Sequence, residues 1–195
     1  MNDKKLPSDL NASDLVFESR RLDQRELSQL AQMLGNHLRA GDTLLLFGPM
    51  GVGKTTFVRA LAQGLGVLRP QQVCSPTYTI CLVHDGPIPL AHVDFFRMGE
   101  SATFTADDSI SGYAAFEALG LDSDELCNEN QVLVTEWSEY WQTPPAPRIE
   151  IYLQMDMSIP ELRWIELRAF GQRGLELAQN WSVASEFSQR CIRGL

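Results

Sequence analysis

Residues 43–55 read TLLLFGPMGVGKT, and this stretch decides the fold. Residues 43–47 form an unbroken apolar run, which is typical of a strand covered on both faces. Residues 48–55 match the pattern G-x-x-x-x-G-K-[ST], and a helical pattern follows over residues 55–65, ending at Gly64 or Gly66. A glycine-rich turn between a strand and a helix indicates a phosphate-binding loop, or P-loop, because its glycines let successive N–H groups point at phosphate oxygens.

Two side chains of this loop carry the expected chemistry. Lys54 is predicted to reach the β- and γ-phosphates of a nucleotide, and the Thr55 hydroxyl to coordinate Mg²⁺. Lys54 is also the only lysine after Lys5, so a chain that otherwise uses arginine places its compact ammonium here. The motif predicts a set of phosphate-binding residues: Met50, Gly51, Val52, Gly53, Lys54, Thr55 and Thr56.

Two carboxylates follow apolar strands elsewhere in the chain. Asp94 lies near the end of a predicted strand at 90–95, and Glu136 follows a predicted strand at 132–134. Ligands of open α/β sheets bind outside the carboxyl ends of the strands, so at least one of these carboxylates is expected to hold Mg²⁺ or orient water. No N-K-x-D guanine motif follows the P-loop, and adenine, as ATP, is therefore the expected base.

The remaining pattern predicts an α/β sheet with parallel strands, because strands and helices alternate. Further strands are expected at residues 15–17, 78–83, 149–153 and 164–167, with a hairpin across residues 84–87. Further helices are expected from Asp23 through Leu38, closed by Gly41, and at residues 113–119 and 175–187. We expect residues 1–13 to be a flexible tail, residues 14–195 one P-loop ATPase domain, and residues 99–111 a flexible insertion.

Composition narrows the class of protein. Lys and Arg number 16 against 25 Asp and Glu, and the resulting net charge of −9 argues against a broad nucleic-acid surface. No apolar run approaches the roughly 18 residues of a membrane helix, and no apolar segment follows the first lysines as in a secretory signal. The four cysteines show no metal-binding spacing, so reduced thiols and a cytoplasmic location are expected.

Five segments, taken together in this order and spacing, resemble one family. They are KTTFVR at residues 54–59, SPTYT at 75–79, HVDFFR at 92–97, EALGL at 117–121 and EWSE at 136–139. The chain resembles the TsaE family, small bacterial ATPases needed to make N6-threonylcarbamoyladenosine (t6A) at position 37 of tRNAs. The resemblance covers about residues 15–170 and implies a P-loop NTPase-like sheet with mixed strand directions, flanked by helices.

The resemblance also implies roles for individual residues. Lys54 and Thr55 would serve the phosphates and Mg²⁺, and Glu136 would be a second Mg²⁺ ligand. Asp94 would be a Walker-B-like acid near the γ-phosphate. Residues 75–79 would act as a switch, with Thr77 or Thr79 on the phosphate side.

Other positions are implied by the resemblance or left between two interpretations. By analogy adenine would lie around Asp23 and Gln24. Trp137 would either sit beside the active site or pack in the core. His92 is interpreted as a strand-packing or phosphate-side support residue, and His37 and His84 as surface residues.

The leading hypothesis is a Mg²⁺-dependent ATPase that docks on the TsaB–TsaD complex, resets it for another turnover, and meets tRNA only indirectly. A small-molecule kinase is a second hypothesis, although residues 98–130 contain no Arg or Lys for a basic lid. A third is a nucleotide-gated adaptor that binds ATP without hydrolysing it. Family members usually carry Tyr where Phe96 stands and Pro where Ser138 stands, and residues 98–116 form a longer stretch than usual.

Overall fold

The computed structural model describes residues 15–100, 120–121, 123–141, 144–185 and 188–191. The strands are β1 (Leu15–Glu18), β2 (Thr43–Phe47), β3 (Cys81–His84), β4 (Leu90–Asp94), β5 (Val132–Glu136), β6 (Arg148–Met155), β7 (Arg163–Phe170) and β8 (Ser188–Cys191). The α-helices are α1 (Gln24–Gly35), α2 (Lys54–Leu65), α3 (Phe96–Glu100), α4 (Ser123–Leu126) and α5 (Gly171–Ser185). In this part of the chain no helix is long and apolar enough to cross a membrane.

The described strands form one sheet in the order β3-β4-β5-β2-β6-β7-β1-β8. The central strands β4, β5, β2 and β6 run parallel, so their carboxyl ends lie along one edge of the sheet. Antiparallel pairing adds β3 on one side and β7, β1 and β8 on the other. These directions confirm the mixed sheet that the family resemblance implied, and the β3–β4 pair confirms the predicted hairpin.

Both faces of the sheet are covered, which is why β2 reads as a continuous apolar run. Leu44 and Leu46 belong to the larger core, which α1, α2 and α5 cover, whereas Leu45 belongs to a smaller core on the other face. The smaller core contains Met98 of α3 and Leu126 of α4. A strand buried on both sides has no polar face to alternate with, and β2 leads directly into the P-loop.

Helices α1 and α2 touch backbone to backbone through two glycines. A Cβ at Gly35 would lie 2.2 Å from the Leu61 carbonyl oxygen, and one at Gly64 would lie 2.0 Å from the Gln32 carbonyl oxygen. Only glycine permits this approach at either position. The close contact holds the helix that begins at the P-loop against the helix that precedes β2.

Several predicted boundaries were wrong. Helix α1 ends at Gly35 rather than near Leu38, because the amide of Leu38 donates to the Gly35 carbonyl in a turn. Gly41, which was predicted to close the helix, instead donates its amide to the Gln131 carbonyl beside β5. The strand predicted at residues 78–83 begins only at Cys81.

The remaining outcomes concern the chain termini and the long connection after β4. Residues 99–100, predicted to open a flexible insertion, end α3. Residues 101–111, the helix predicted at 113–119 and the tail at 1–13 lie outside the described residues. The last helix spans Gly171–Ser185, where residues 175–187 were predicted, and β8 was not predicted because its sequence, SQRC, has no apolar alternation.

A buried ion pair fastens α5 to the start of β2. Arg173 donates from Nε to Asp42 Oδ1 at 2.8 Å and from Nη2 to Asp42 Oδ2 at 2.7 Å, with a further bond to the His37 carbonyl. Asp42 in turn accepts the amide of Arg39. This bidentate bond raises the pKa of the Arg173 guanidinium, and Asp42 is almost fully buried.

Arg173→Ala should lower the free energy of unfolding by about 2–3 kcal/mol, because the Asp42 carboxylate stays buried without its cation. Urea unfolding of the full chain measures this loss. Arg20→Ala is the matched control, since the Arg20 side chain is 64% exposed in its pair with Glu26 and such pairs contribute below about 1 kcal/mol. Equal losses in the two variants would contradict the anchoring role of Arg173.

Candidate functional site

The P-loop leaves β2 and enters α2 through three glycines in left-handed or related positive-φ conformations. Their φ angles are 136° at Gly48, 77° at Gly51 and 112° at Gly53. Gly53 is the N-cap of α2 and provides no side-chain cap, whereas Asp23 and Glu26 form a capping box on α1. The first amides of α2 are therefore left to an external acceptor, and the positive end of the helix dipole favours an anion there.

The Lys54 ammonium is held within the loop itself. Its Nζ donates to the Gly48 carbonyl at 2.6 Å and to the Pro49 carbonyl at 3.1 Å, and it lies 3.7 Å from the centroid of the Trp137 ring. Burial lowers the pKa of Lys54, while Glu136, Glu139 and Asp94 oppose that shift through their negative charges. The two carbonyls and the ring thus fix a single cation at the mouth of the phosphate loop.

Glu136 receives hydrogen bonds from two different elements. Thr55 Oγ1 lies 2.9 Å from Glu136 Oε1 and 3.0 Å from Oε2, and His92 Nε2 lies 2.9 Å from Oε1. The Glu136 side chain is almost fully buried at the end of β5. Its position follows from strand pairing, because Glu136 is in register with Leu46 of β2 and with Asp94 of β4.

The Thr55 and Glu136 oxygens fit a Mg²⁺ ion. Neighbouring ligands of an octahedral Mg²⁺ with bonds of about 2.0–2.1 Å are separated by about 2.9 Å, which is the observed separation of Thr55 Oγ1 and Glu136 Oε1. The described residues contain no cluster of three or more His, Cys, Asp or Glu side chains that could hold a metal without a ligand. Mg²⁺ takes few protein ligands and completes its shell with phosphate and water.

Asp94 is buried and already accepts three hydrogen bonds. Its Oδ2 receives the hydroxyls of Ser75 at 2.6 Å and Thr77 at 2.7 Å, and its Oδ1 receives the amide of Phe96 at 2.8 Å. Asp94 thereby ties the 75–77 segment to the end of β4. Thr77 lines the cleft next to the P-loop, whereas Asp94 does not line it.

Trp137 has the rare left-handed conformation for a residue other than glycine, with φ 58° and ψ 42°. Its ring contacts Phe96 at a centroid distance of 4.9 Å as well as the Lys54 ammonium. The next residue, Ser138, is buried and its hydroxyl lies 2.6 Å from that of Thr135. Both interpretations left open by the sequence agree with these contacts, because Trp137 lines the cleft and is also packed, partly buried, against the smaller core.

A cleft of about 510 Å³ collects these side chains. Nine of the residues predicted for the site line it: Met50, Gly51, Gly53, Lys54, Thr55, Thr56, Thr77, Glu136 and Trp137. Ser75, Tyr78 and Phe96 line it as well, and the sequence signal for them was the SPTYT and HVDFFR segments, which indicated the region without indicating which side chains face inward.

Five predicted residues do not line this cleft: Val52, Thr79, Asp94, Asp23 and Gln24. Val52 is buried in the core, and the Thr79 hydroxyl donates to the Pro76 carbonyl within its own turn. The Asp23 carboxylate accepts the amide of Glu26 as the cap of α1. A second cleft, of about 680 Å³, lies on the β6 side of the P-loop between Gly48, Arg21 and Trp164.

Comparison with known proteins gives the family of the chain. The family model described as "Threonylcarbamoyl adenosine biosynthesis protein TsaE" matches residues 22–161. The chain is 34% identical over 155 residues to the tRNA threonylcarbamoyladenosine biosynthesis protein TsaE of Streptomyces coelicolor, covering 75% of this chain and 93% of the relative. It is 33% identical to the Bacillus subtilis protein of the same name, covering 69% and 75%.

A solved structure supports the fold. The crystal structure of Bacillus subtilis YdiB superposes with a TM-score of 0.61 at 22% identity, covering 87% of this chain and 95% of that one. At this identity the likeness concerns the arrangement of strands and helices.

Gly48→Ala should disrupt the P-loop, whereas Gly51→Ala should leave it largely intact. A Cβ at Gly48 would lie 2.4 Å from the Leu153 carbonyl oxygen, but a Cβ at Gly51 meets nothing within 4 Å. The expected loss for Gly51→Ala is therefore about 1 kcal/mol of left-handed strain, and Gly48→Ala should lose several times more in urea unfolding. Similar losses in the two variants would contradict the close packing of the loop on β6.

Proposed function

The chain belongs to the TsaE family, and from this premise we propose that it is a Mg²⁺-dependent ATPase acting in t6A biosynthesis. The single observation that carries the proposal is the Thr55–Glu136 pair at the spacing of two neighbouring Mg²⁺ ligands, directly beside the P-loop lysine. Its expected location is the cytoplasm, where tRNA is modified.

Each side chain of the cleft has a task in this proposal. The loop amides and the start of α2 bind the phosphates, and Lys54 reaches the β- and γ-phosphate oxygens from its position over Trp137. Thr55 and Glu136 hold Mg²⁺, which supplies neutralisation of the charge that develops on the phosphates. Because Glu136 is already oriented by Thr55 and His92, little reorganisation is needed on binding.

We assign Asp94 to the γ-phosphate end of the site, acting through the segment that it holds. Its carboxylate fixes the Ser75 and Thr77 hydroxyls, and Thr77 lines the cleft beside Thr55. A nucleotide with a γ-phosphate would contact residues 75–79, and a nucleotide without a γ-phosphate would release them. The conformation of residues 75–79 would therefore depend on which nucleotide is bound. The adenine is assigned to the region of Asp23 and Gln24, where Leu27 of α1 packs towards Gly53.

We further propose that the isolated protein turns over slowly and that the TsaB–TsaD complex completes the site. P-loop enzymes depend on an arginine or a water-positioning group at the γ-phosphate, often supplied by a partner. Arg97 is the arginine nearest in sequence to Asp94, but it is exposed and does not line the cleft. A net charge of −9 also disfavours direct tRNA binding.

The test is ATP hydrolysis by the full chain with and without TsaB–TsaD. We expect the partners to raise the rate by a factor between about 10 and 10³, since groups supplied in trans contribute up to about 10⁵ in P-loop enzymes. Lys54→Ala should abolish turnover in both conditions while the protein stays folded. Undiminished hydrolysis by folded Lys54→Ala, dependence on a small-molecule acceptor, or tight ATP binding without turnover in the presence of the partners would each contradict the proposal.

Glu136→Ala and Asp94→Ala should respond differently to Mg²⁺. If Glu136 binds the ion, its loss should raise the Mg²⁺ concentration for half-maximal activity by about 10–100-fold and be partly offset at high Mg²⁺. Asp94→Ala should lower the rate at every Mg²⁺ concentration, because it releases Ser75 and Thr77 rather than a ligand. Mg²⁺ titrations of ATPase activity with matching midpoints would remove this division of roles.

A further inference from the structure

Two histidines on neighbouring strands each present a buried nitrogen without a hydrogen-bond partner among the described residues. They are Nδ1 of His92 on β4 and Nε2 of His84 on β3. The ring centroids are 6.1 Å apart and the ring planes are inclined at 38°. His84 had been predicted at the surface, but it is only partly exposed because the hairpin turns its ring towards β4.

The strand order determines which neighbouring side chains the two histidine rings can contact. His92 lies on β4, between β5 and β3, and its Nε2 is engaged with Glu136 of β5. His92 pairs with Leu82 across the hairpin, and His84, two residues further along β3, occupies the same face of the sheet. The two unpaired nitrogens therefore belong to rings on one continuous face, next to the carboxylate assigned to Mg²⁺.

Hydrogen-bond chemistry then determines the tautomer of His92. An ionised carboxylate only accepts hydrogen bonds, so Nε2 of His92 must donate to Glu136. In a neutral imidazole the other nitrogen is an acceptor, and Nδ1 then needs a donor. A buried acceptor left without one costs about 1–3 kcal/mol, so a structure that keeps His92 fully buried is expected to supply it.

We propose that a single internal water joins Nδ1 of His92 to Nε2 of His84, and that this link makes His84 and His92 positioning residues for Glu136. Two hydrogen bonds through one water span up to about 5.6 Å, and the two ring centroids lie 6.1 Å apart. Water can donate to His92 and accept from His84, which satisfies both nitrogens. The resulting series of hydrogen bonds runs from the β3–β4 hairpin through His84, the water and His92 to Glu136.

One further observation and one general principle support this series of hydrogen bonds. Burial lowers the pKa of His84, which favours a neutral ring with one donor and one acceptor nitrogen. The second is general: groups that hydrogen-bond to a metal ligand set its orientation, and their loss typically costs 10–100-fold in metal affinity or activity. The role given to Glu136 rests on the proposed function, whereas the link between the histidines does not.

The link can be tested without nucleotide, because the chain contains only three histidines: His37, His84 and His92. Long-range ¹H–¹⁵N correlation spectra of the ¹⁵N-labelled full chain should show His92 entirely as the Nε2–H tautomer. His84→Leu should shift the Nδ1 resonance of His92. His84→Gln, which keeps a polar group on the hairpin, should bring that resonance most of the way back to its wild-type position. His37→Gln is the matched control and should leave the His92 signals unchanged.

Either of two spectral results would overturn the link. One is a His92 ring protonated on Nδ1 alone. The other is an Nδ1 resonance that stays the same in His84→Leu as in the wild-type chain.

The positioning role is tested by Mg²⁺ dependence. His92→Leu should raise the Mg²⁺ concentration for half-maximal ATPase activity by about 10-fold, His84→Leu by a smaller factor, and His92→Gln, which retains an N–H near Glu136, should recover part of the loss. An unchanged Mg²⁺ requirement in folded His92→Leu would overturn the positioning role. A wild-type chain without any ATPase activity in the presence of TsaB–TsaD would instead refute the proposed function, and the spectra would still decide whether the histidines are linked.

Discussion

Parallel hydrogen bonding of β2 to β5, and of β5 to β4, sets the relative positions of the two strand-end carboxylates, Glu136 and Asp94. The pairing places Glu136 level with Leu46, two residues before the P-loop begins at Gly48, and level with Asp94 on the other side. Thr55 at the start of α2, which the P-loop joins to β2, then reaches the Glu136 carboxylate. A register shift of one residue would turn Glu136 and Asp94 to the opposite face of the sheet, away from α2.

The second constraint is the charge balance around Lys54. Removing this ammonium from water is unfavourable, and its lowered pKa shows that burial outweighs the opposing influence of nearby carboxylates. Two loop carbonyls and the Trp137 ring provide part of the missing solvation. A chain with a net charge of −9 can therefore still attract polyphosphate, because the attraction is local to the amides of α2 and one desolvated cation.

Sequence alone was sufficient where the information is local. The P-loop, its strand and its helix follow from contiguous residues, and the Asp94 and Glu136 strand ends follow from short apolar runs. What depends on register or on turn geometry could not be read in this way. One example is the strand pairing that turns His84 towards His92. Another is the turn at residues 76–80, because of which β3 begins only at Cys81. The polar edge strand β8 gave no periodic signal because it is held by backbone bonds to β1.

Two residues with strained backbone lie next to the candidate site. Among the described residues only Ile80 and Trp137 have a positive φ without being glycine. Ile80 ends the turn whose Ser75 and Thr77 hydroxyls bind Asp94, and its carbonyl accepts the Asp94 amide. Trp137 follows Glu136 and lies over Lys54. A left-handed residue costs about 1–2 kcal/mol, so both conformations must be maintained by the contacts around them. Those contacts involve Asp94 on one side and Lys54 on the other, so both strained residues depend on side chains assigned to the site.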